Sequence, residues 1–229
     1  FEETLRDYKR AGLSLDVKER TEVEKLRKQL SALSTDFDSN ITQAQATLEF
    51  TGDDLKGVPN SFLEGDGVKT GDDTYSVKAN VTWHFINVME NAQSEATRRR
   101  MKEARYSLAG EKNAALLQSI LDLRTRIAHL LGYATWADYQ TEVKMAGDGD
   151  TALNFLKELK EGLQPKFDAE LETYRALKVQ ETGDSNARIH LWDWRYFSNQ
   201  LKKKEYNVDA EQLRVYFPYE QSLQGMFRM

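Results

Sequence analysis

Apolar residues recur at a helical period along most of this chain. Between Val17 and about Leu48 they fall at Val23, Leu26, Leu30, Leu33, Phe37, Ile41, Ala44 and Leu48. Steps of three and four residues place them on one face of a long amphipathic helix. Asp16 followed by Glu19 supplies a capping box at its start, with Asp as the cap. The period breaks over residues 51–73, a stretch rich in Gly and Asp. Tyr75, Val77, Ala79 and Val81 then alternate with Ser76, Lys78 and Asn80, the pattern of a half-buried strand. Thr47 to Thr51 is its partner in a small antiparallel hairpin, about residues 47–82. Two strands alone are marginal in water, so the hairpin must lean on helices.

Helix resumes beyond Trp83. Ser94 caps a segment carrying Ala96, Met101, Tyr106 and Leu108. Leu116, Leu117, Ile120, Leu123, Ile127, Leu130 and Leu131 form a second stripe, ended by Gly132, where a left-handed cap is free of a Cβ penalty. Thr135 caps Trp136 to Tyr139. Asp150 or Thr151 should open a long helix bearing Leu153, Leu156, Leu159, Leu163, Phe167, Leu171, Tyr174 and Leu177, which Pro165 is expected to kink or split. Gly183 to Asn186 reads as a turn and Trp192 to Tyr206 as helix. Asp209 caps a short successor, and Pro218 sits in the first turn of the last helix. The expected fold is mostly α, a multi-helix array with long amphipathic helices and one small antiparallel β-hairpin.

The bulk numbers narrow the function. Of 229 residues, 40% are hydrophobic and 30% charged, enough for a core beneath a strongly charged surface. A net charge of −5 gives no broad field for nucleic acid or anionic membrane. Arg98-Arg99-Arg100 and Lys202-Lys203-Lys204 read as solvated faces. The lack of cysteine excludes disulfides, thiolate metal sites and thiol nucleophiles, and fits a reducing, cytoplasmic compartment. No apolar run is long enough to span a bilayer. The chain starts at Phe1 without a signal-peptide pattern, and both ends read as cut, so the true start and its targeting signals are out of view.

Catalytic chemistry is hard to place. A helical zinc-peptidase site needs two histidines one turn apart with a Glu between them. The histidines are His84, His129 and His190, and no pair has that spacing. No G-x-S-x-G elbow exists. The glycines of residues 65–71 lie among Glu64, Asp66, Asp72 and Asp73, which would repel phosphate. A calcium loop from Asp148 would need Gly and Glu where Leu153 and Leu159 stand. Catalytic and metal-binding residues are therefore expected to be none. The aromatic run Trp192 to Phe197 remains. On a helix Trp192 and Tyr196 would share a face, Asp193 could bond a backbone donor or an Arg, and Arg195 could stack on an aromatic or hold a peptide carboxylate. A structural anchor where helices cross is the plainer reading, as it is for Trp136 and Tyr139.

Two segments carry a resemblance. Leu130 to Met145 reads LLGYATWADYQTEVKM, and Leu191 to Phe197 reads LWDWRYF. Glu19, Arg20, Leu26, Leu30, Leu33, Phe37 and Asn40 precede them, followed by Leu55 with Gly57-Val58-Pro59. In this order and spacing they resemble the helical part of zinc oligopeptidases of the thimet oligopeptidase family. The resemblance implies a two-lobed helical enzyme around a deep channel, with zinc held by HExxH and a later Glu, cutting short peptides. The aligned part stops before HExxH, so zinc would belong to the intact protein with no ligand in this chain. Residues 1–229 would be the non-catalytic N-terminal part, walling the channel, with 191–229 leading toward the catalytic part. Trp194, Arg195 and Tyr196 are then the channel candidates. An excerpt would expose apolar helix faces and self-associate through them, or hold a loose segment after about Pro218. A stand-alone helical interaction module without catalysis is the alternative.

Overall fold

A computed structural model describes residues 1–214 and 216–228. Its elements run α1 (Glu2–Ala11), α2 (Val17–Gln43), β1 (Thr47–Phe50), α3 (Asn60–Leu63), β2 (Tyr75–Lys78), α4 (Thr82–Asn91), α5 (Glu95–Tyr106) and α6 (Gly110–Leu130). Then follow α7 (Trp136–Thr141), α8 (Gly149–Thr182), α9 (Trp194–Glu205), α10 (Ala210–Arg214) and α11 (Tyr219–Arg228). Among the described residues the fold is mostly helical with a single hairpin, the class that the periodicities require. The chain divides into two units: Phe1–Ala44 with Ala109–Lys166, and Gln45–Leu108 with Phe167–Met229.

The first unit is built on α2 against α6. Leu26, Leu123 and Ile127 form its buried centre, with Leu30, Leu33, Leu130, Leu131 and Trp136 packed around them. Asp16 caps α2 as expected, accepting the Glu19 N–H at 2.8 Å. Near the other end, buried Asn113 of α6 takes the Asn40 amide at 2.9 Å and donates to the Phe37 carbonyl at 3.1 Å, locking the helix pair. Gly132 ends α6 at φ 86°. The apolar stripe runs on to Leu48, but α2 stops at Gln43 and Ala44 is extended, because Leu48 pairs with Val77 in the sheet.

The second unit packs the hairpin on α4 and α5. Phe50, Leu55, Phe62, Val77, Phe85 and Met101 are among its buried residues. The strands pair from Thr47 opposite Lys78 to Phe50 opposite Tyr75. The alternation through Val81 overstates the strand. Val81 N–H bonds the Lys78 carbonyl at 3.1 Å, which turns the chain into α4. The arginine run is not one solvated face. Arg100 donates to the Glu49 carbonyl at 3.1 Å over the Phe50 ring, Arg99 is exposed and pairs with Glu103, and Arg98 is buried.

Three further expectations are corrected. Pro165 does not split α8, which runs unbroken from Gly149 to Thr182. Residues 153–170 are exposed, so water can serve the Glu161 carbonyl that loses its helical donor. The cap of α8 is Asp148, which accepts the Thr151 N–H at 2.7 Å, rather than Asp150 or Thr151. Trp192 lies outside α9, which begins at Trp194.

Two glycines should respond with opposite sign. Gly57 has φ 92°, and an added Cβ would sit 2.5 Å from the Asn91 carbonyl oxygen. Gly162 sits inside α8 with open space around it. Urea unfolding should show Gly57→Ala destabilised by more than about 1 kcal/mol and Gly162→Ala stabilised by up to about 1 kcal/mol.

Candidate functional site

The aromatic run forms around a buried carboxylate. Asp193 sits at the N-terminus of α9, where an Asp side chain ordinarily accepts an N–H of the helix's first turn. Here it makes no such bond. Its Oδ1 accepts Arg98 Nη2 at 2.7 Å, and its Oδ2 accepts Lys178 Nζ at 2.8 Å and the His190 N–H at 3.0 Å. Asp193 is 0% exposed and Arg98 1%. Arg98 Nη1 also donates to the Ala92 and Gln93 carbonyls at 2.8 and 2.9 Å, just past the end of α4, where the helix dipole favours a cation. Lys178 Nζ completes its shell with the Arg188 carbonyl at 3.0 Å and Glu95 Oε2 at 2.8 Å. Two cations and two carboxylates thus tie α5, α8 and the start of α9 together.

The electrostatics follow from the geometry. Burial alone would raise the Asp193 pKa, but Lys178, Arg98 and the His190 N–H outweigh it and hold the carboxyl below its ordinary value. For Lys178, burial opposes the charge, and bonds to Asp193 and Glu95 more than offset it, so its pKa is raised. Glu95 is likewise lowered, against burial, by Lys178 and by the Trp192 indole, which donates to it at 2.9 Å.

The aromatics divide by role. Tyr196 is 3% exposed, its ring 4.3 Å beneath the Arg98 guanidinium, and its hydroxyl donates to Glu181 at 2.9 Å. Burial and then Glu181 raise its pKa, so it stays a neutral donor. Trp194 is 43% exposed, and the Arg195 guanidinium lies 4.5 Å over its ring, with Glu90 3.6 Å away. Of the three channel candidates, Trp194 and Arg195 therefore lie together on the surface and Tyr196 lies in the core. Arg98 and Lys178 were hidden from sequence reasoning, one in a charge run and one in a charged helix. The helical phase held a clue for Arg98: Met101, three residues on, is fully buried on α5.

The other motif is also structural. Thr135 and Asp138 form a reciprocal capping box on α7. Asp138 Oδ1 reaches on to the Gly149 N–H at 3.0 Å, fixing the start of α8. A Cβ on Gly149 would meet that of Ala137 at 2.9 Å, so this joint needs both small residues. The Arg10 guanidinium lies 4.3 Å over Tyr139, donates to the Tyr139 carbonyl at 2.7 Å and pairs with Glu142. Arg27 bonds the Tyr139 hydroxyl at 3.0 Å.

The donor set does not fit a zinc ion. Among the described residues no group of three His, Cys, Asp or Glu side chains comes together to hold a metal. His84 Nδ1 accepts the Lys78 N–H at 3.2 Å, the His129 Nε2 lies 3.1 Å from the Ala134 carbonyl, and His190 stacks on Trp192. No described helix is long and apolar enough to cross a membrane.

The sequence model of Peptidase family M3 matches residues 88–229, which include both motifs. The chain belongs to that family. It is 33% identical to saccharolysin of Saccharomyces cerevisiae over 236 residues, covering 100% of this chain and 33% of that protein. A probable thimet oligopeptidase of Arabidopsis thaliana is 27% identical over 98% of this chain and 31% of its own length. Oligopeptidase A of Haemophilus influenzae is 27% identical over 100% and 35%. The chain thus spans about a third of the length of the curated relatives it matches.

The Asp193 cluster gives a signed pH dependence. Asp193 is more acidic folded than unfolded, so its contribution is complete above the ordinary value of 3.8 and is lost as pH falls through the lowered folded value. Urea midpoints of the wild type should fall below about pH 4. Asp193→Asn should be weaker at neutral pH and show a shallower acid loss, with Glu95 supplying the remainder.

Proposed function

We propose that this chain is the non-catalytic helical portion of a zinc-dependent oligopeptidase that hydrolyses short peptides, and that its helices wall the substrate channel. The observation that carries this is a family match over most of the chain, joined to donor side chains that, among the described residues, do not converge on a metal. Apart from Trp194 and Arg195, the side chains described in the two family-like motifs hold helices together. In the intact protein zinc would activate water for attack on the scissile carbonyl. Its ligands and the general base are assigned to parts of the polypeptide outside these residues, and no chemical step is routed through this chain.

This chain's own contribution is shape. The Asp193 cluster fixes α9 and so sets where Trp194 and Arg195 stand. A flat indole beside a guanidinium can lie against a peptide backbone and hold a carboxylate or carbonyl. We assign those two residues to the channel surface, with Tyr196 as the anchor beneath. The lack of cysteine fits a reducing compartment, and the cytoplasm is assigned on that ground.

The purified chain should release no fluorescence from quenched oligopeptides with zinc added. Metal-dependent turnover, abolished by His84→Ala, His129→Ala or His190→Ala, would overturn the proposal. Sequencing the source gene past the codon for Met229 separates it from a stand-alone interaction module. The proposal requires an HExxH codon run downstream, and a stop codon in its place favours the module.

A further inference from the structure

The first half of α8 presents an apolar face to solvent. Leu153, Phe155, Leu156, Leu159 and Leu163 are 48%, 63%, 59%, 46% and 52% exposed. They fall at helical spacing on one side, and every residue from 153 to 170 is exposed. The helix start is fixed by Asp138 and Asp148, so the direction of the face is set by the fold. A helix of this kind gains most of its stability from packing its apolar face, and an uncovered one of this length is marginal in water.

We infer that this face is the docking surface for the remainder of an M3 peptidase polypeptide, which covers it with an apolar helix face of its own. The inference rests on the reading of this chain as part of such a peptidase. The extent of the match supplies the occupant, since saccharolysin has a further two thirds of its length outside the 33% that this chain covers. The size of the stripe argues for the same cover. A stable complex of separate chains buries about 800 Å² on each partner, more than five side chains on three turns of one helix present. Within one polypeptide the cost of bringing two bodies together is largely absent, and a stripe this small suffices. That argues against a second copy as the natural cover, despite the self-association that exposed apolar faces suggest. Lys157 and Glu158 border the stripe on its two sides with opposite charges, which suits a mixed polar rim around an apolar centre.

The test compares the free chain with a saccharolysin in which the matched third is replaced by this chain. The chain has no cysteine, so Leu156→Cys gives a single thiol within its residues, and mass spectrometry locates maleimide there. Hydrogen exchange over residues 153–164 is read in parallel without any substitution. The free chain should be a monomer that labels and exchanges fast, and the chimera should slow both by about tenfold or more. Leu156→Lys combined with Leu163→Lys should leave the circular dichroism of the free chain unchanged and remove the protection in the chimera. Equal rates in free chain and chimera overturn the inference, as does a chimera that fails to fold where saccharolysin folds. A free chain that dimerises and protects the introduced thiol makes a second copy the occupant and also overturns it. Peptide hydrolysis is scored separately. A protected but inactive chimera leaves the docking surface standing and sinks the peptidase reading, and an active but unprotected one does the reverse.

Discussion

Asp193 has to be ionised, because two buried cations depend on it. Arg98 and Lys178 approach its two oxygens at 2.7 and 2.8 Å, and neither is replaced by water, since Arg98 and Asp193 are almost wholly enclosed. Forming such a cluster is costly and its net gain over an apolar packing is small. Breaking it is another matter, because removal of one partner leaves the others charged and dry. The cluster therefore acts as a constraint: α5, the C-terminal half of α8 and the turn before α9 are held where both Asp193 oxygens, both Arg98 terminal nitrogens and Lys178 Nζ find partners, with only Arg98 Nε left unpaired. Trp192, Tyr196 and Phe197 pack around that placement, and Trp194 with Arg195 faces outward from it.

The same logic governs the first unit on a smaller scale. Asp138 caps its own helix and reaches the start of the next, while Tyr133 and Tyr139 flank the Arg10 guanidinium. Residues that mark the chain as a family M3 member thus do architectural work in both units. This bears on function. On the proposed reading, this chain's contribution is the placement of a surface, of which Trp194 and Arg195 are the aromatic and cationic part.

Much of the fold was legible in the sequence, because helical periodicity and capping are local. Asp16, Ser94 and Thr135 cap helices as their spacing demands, and the hairpin pairs where alternation begins. Errors arose where distant contacts override local preference. Leu48 continues a helical stripe yet belongs to a strand, since only Val77 across the sheet decides it. Trp192 is excluded from α9 because Asp193 turns its carboxylate toward Arg98 and Lys178. Arg98 looked like one third of a solvated run, and nothing short of its helical phase beside Met101 shows that it points inward. A buried ion cluster drawn from residues 95, 98, 178 and 193 has no signature in local spacing.

The central claim is that Arg98 and Asp193 act as one unit, and a double-mutant cycle measures that directly. Arg98→Met and Asp193→Leu should each cost about 3–5 kcal/mol in urea unfolding followed by tryptophan fluorescence. Together they should cost less than their sum by at least about 1 kcal/mol, since the double variant buries no orphaned half of the pair. Additive costs to within about 0.5 kcal/mol would show that the two groups stabilise the protein independently, and the account built on them would fail.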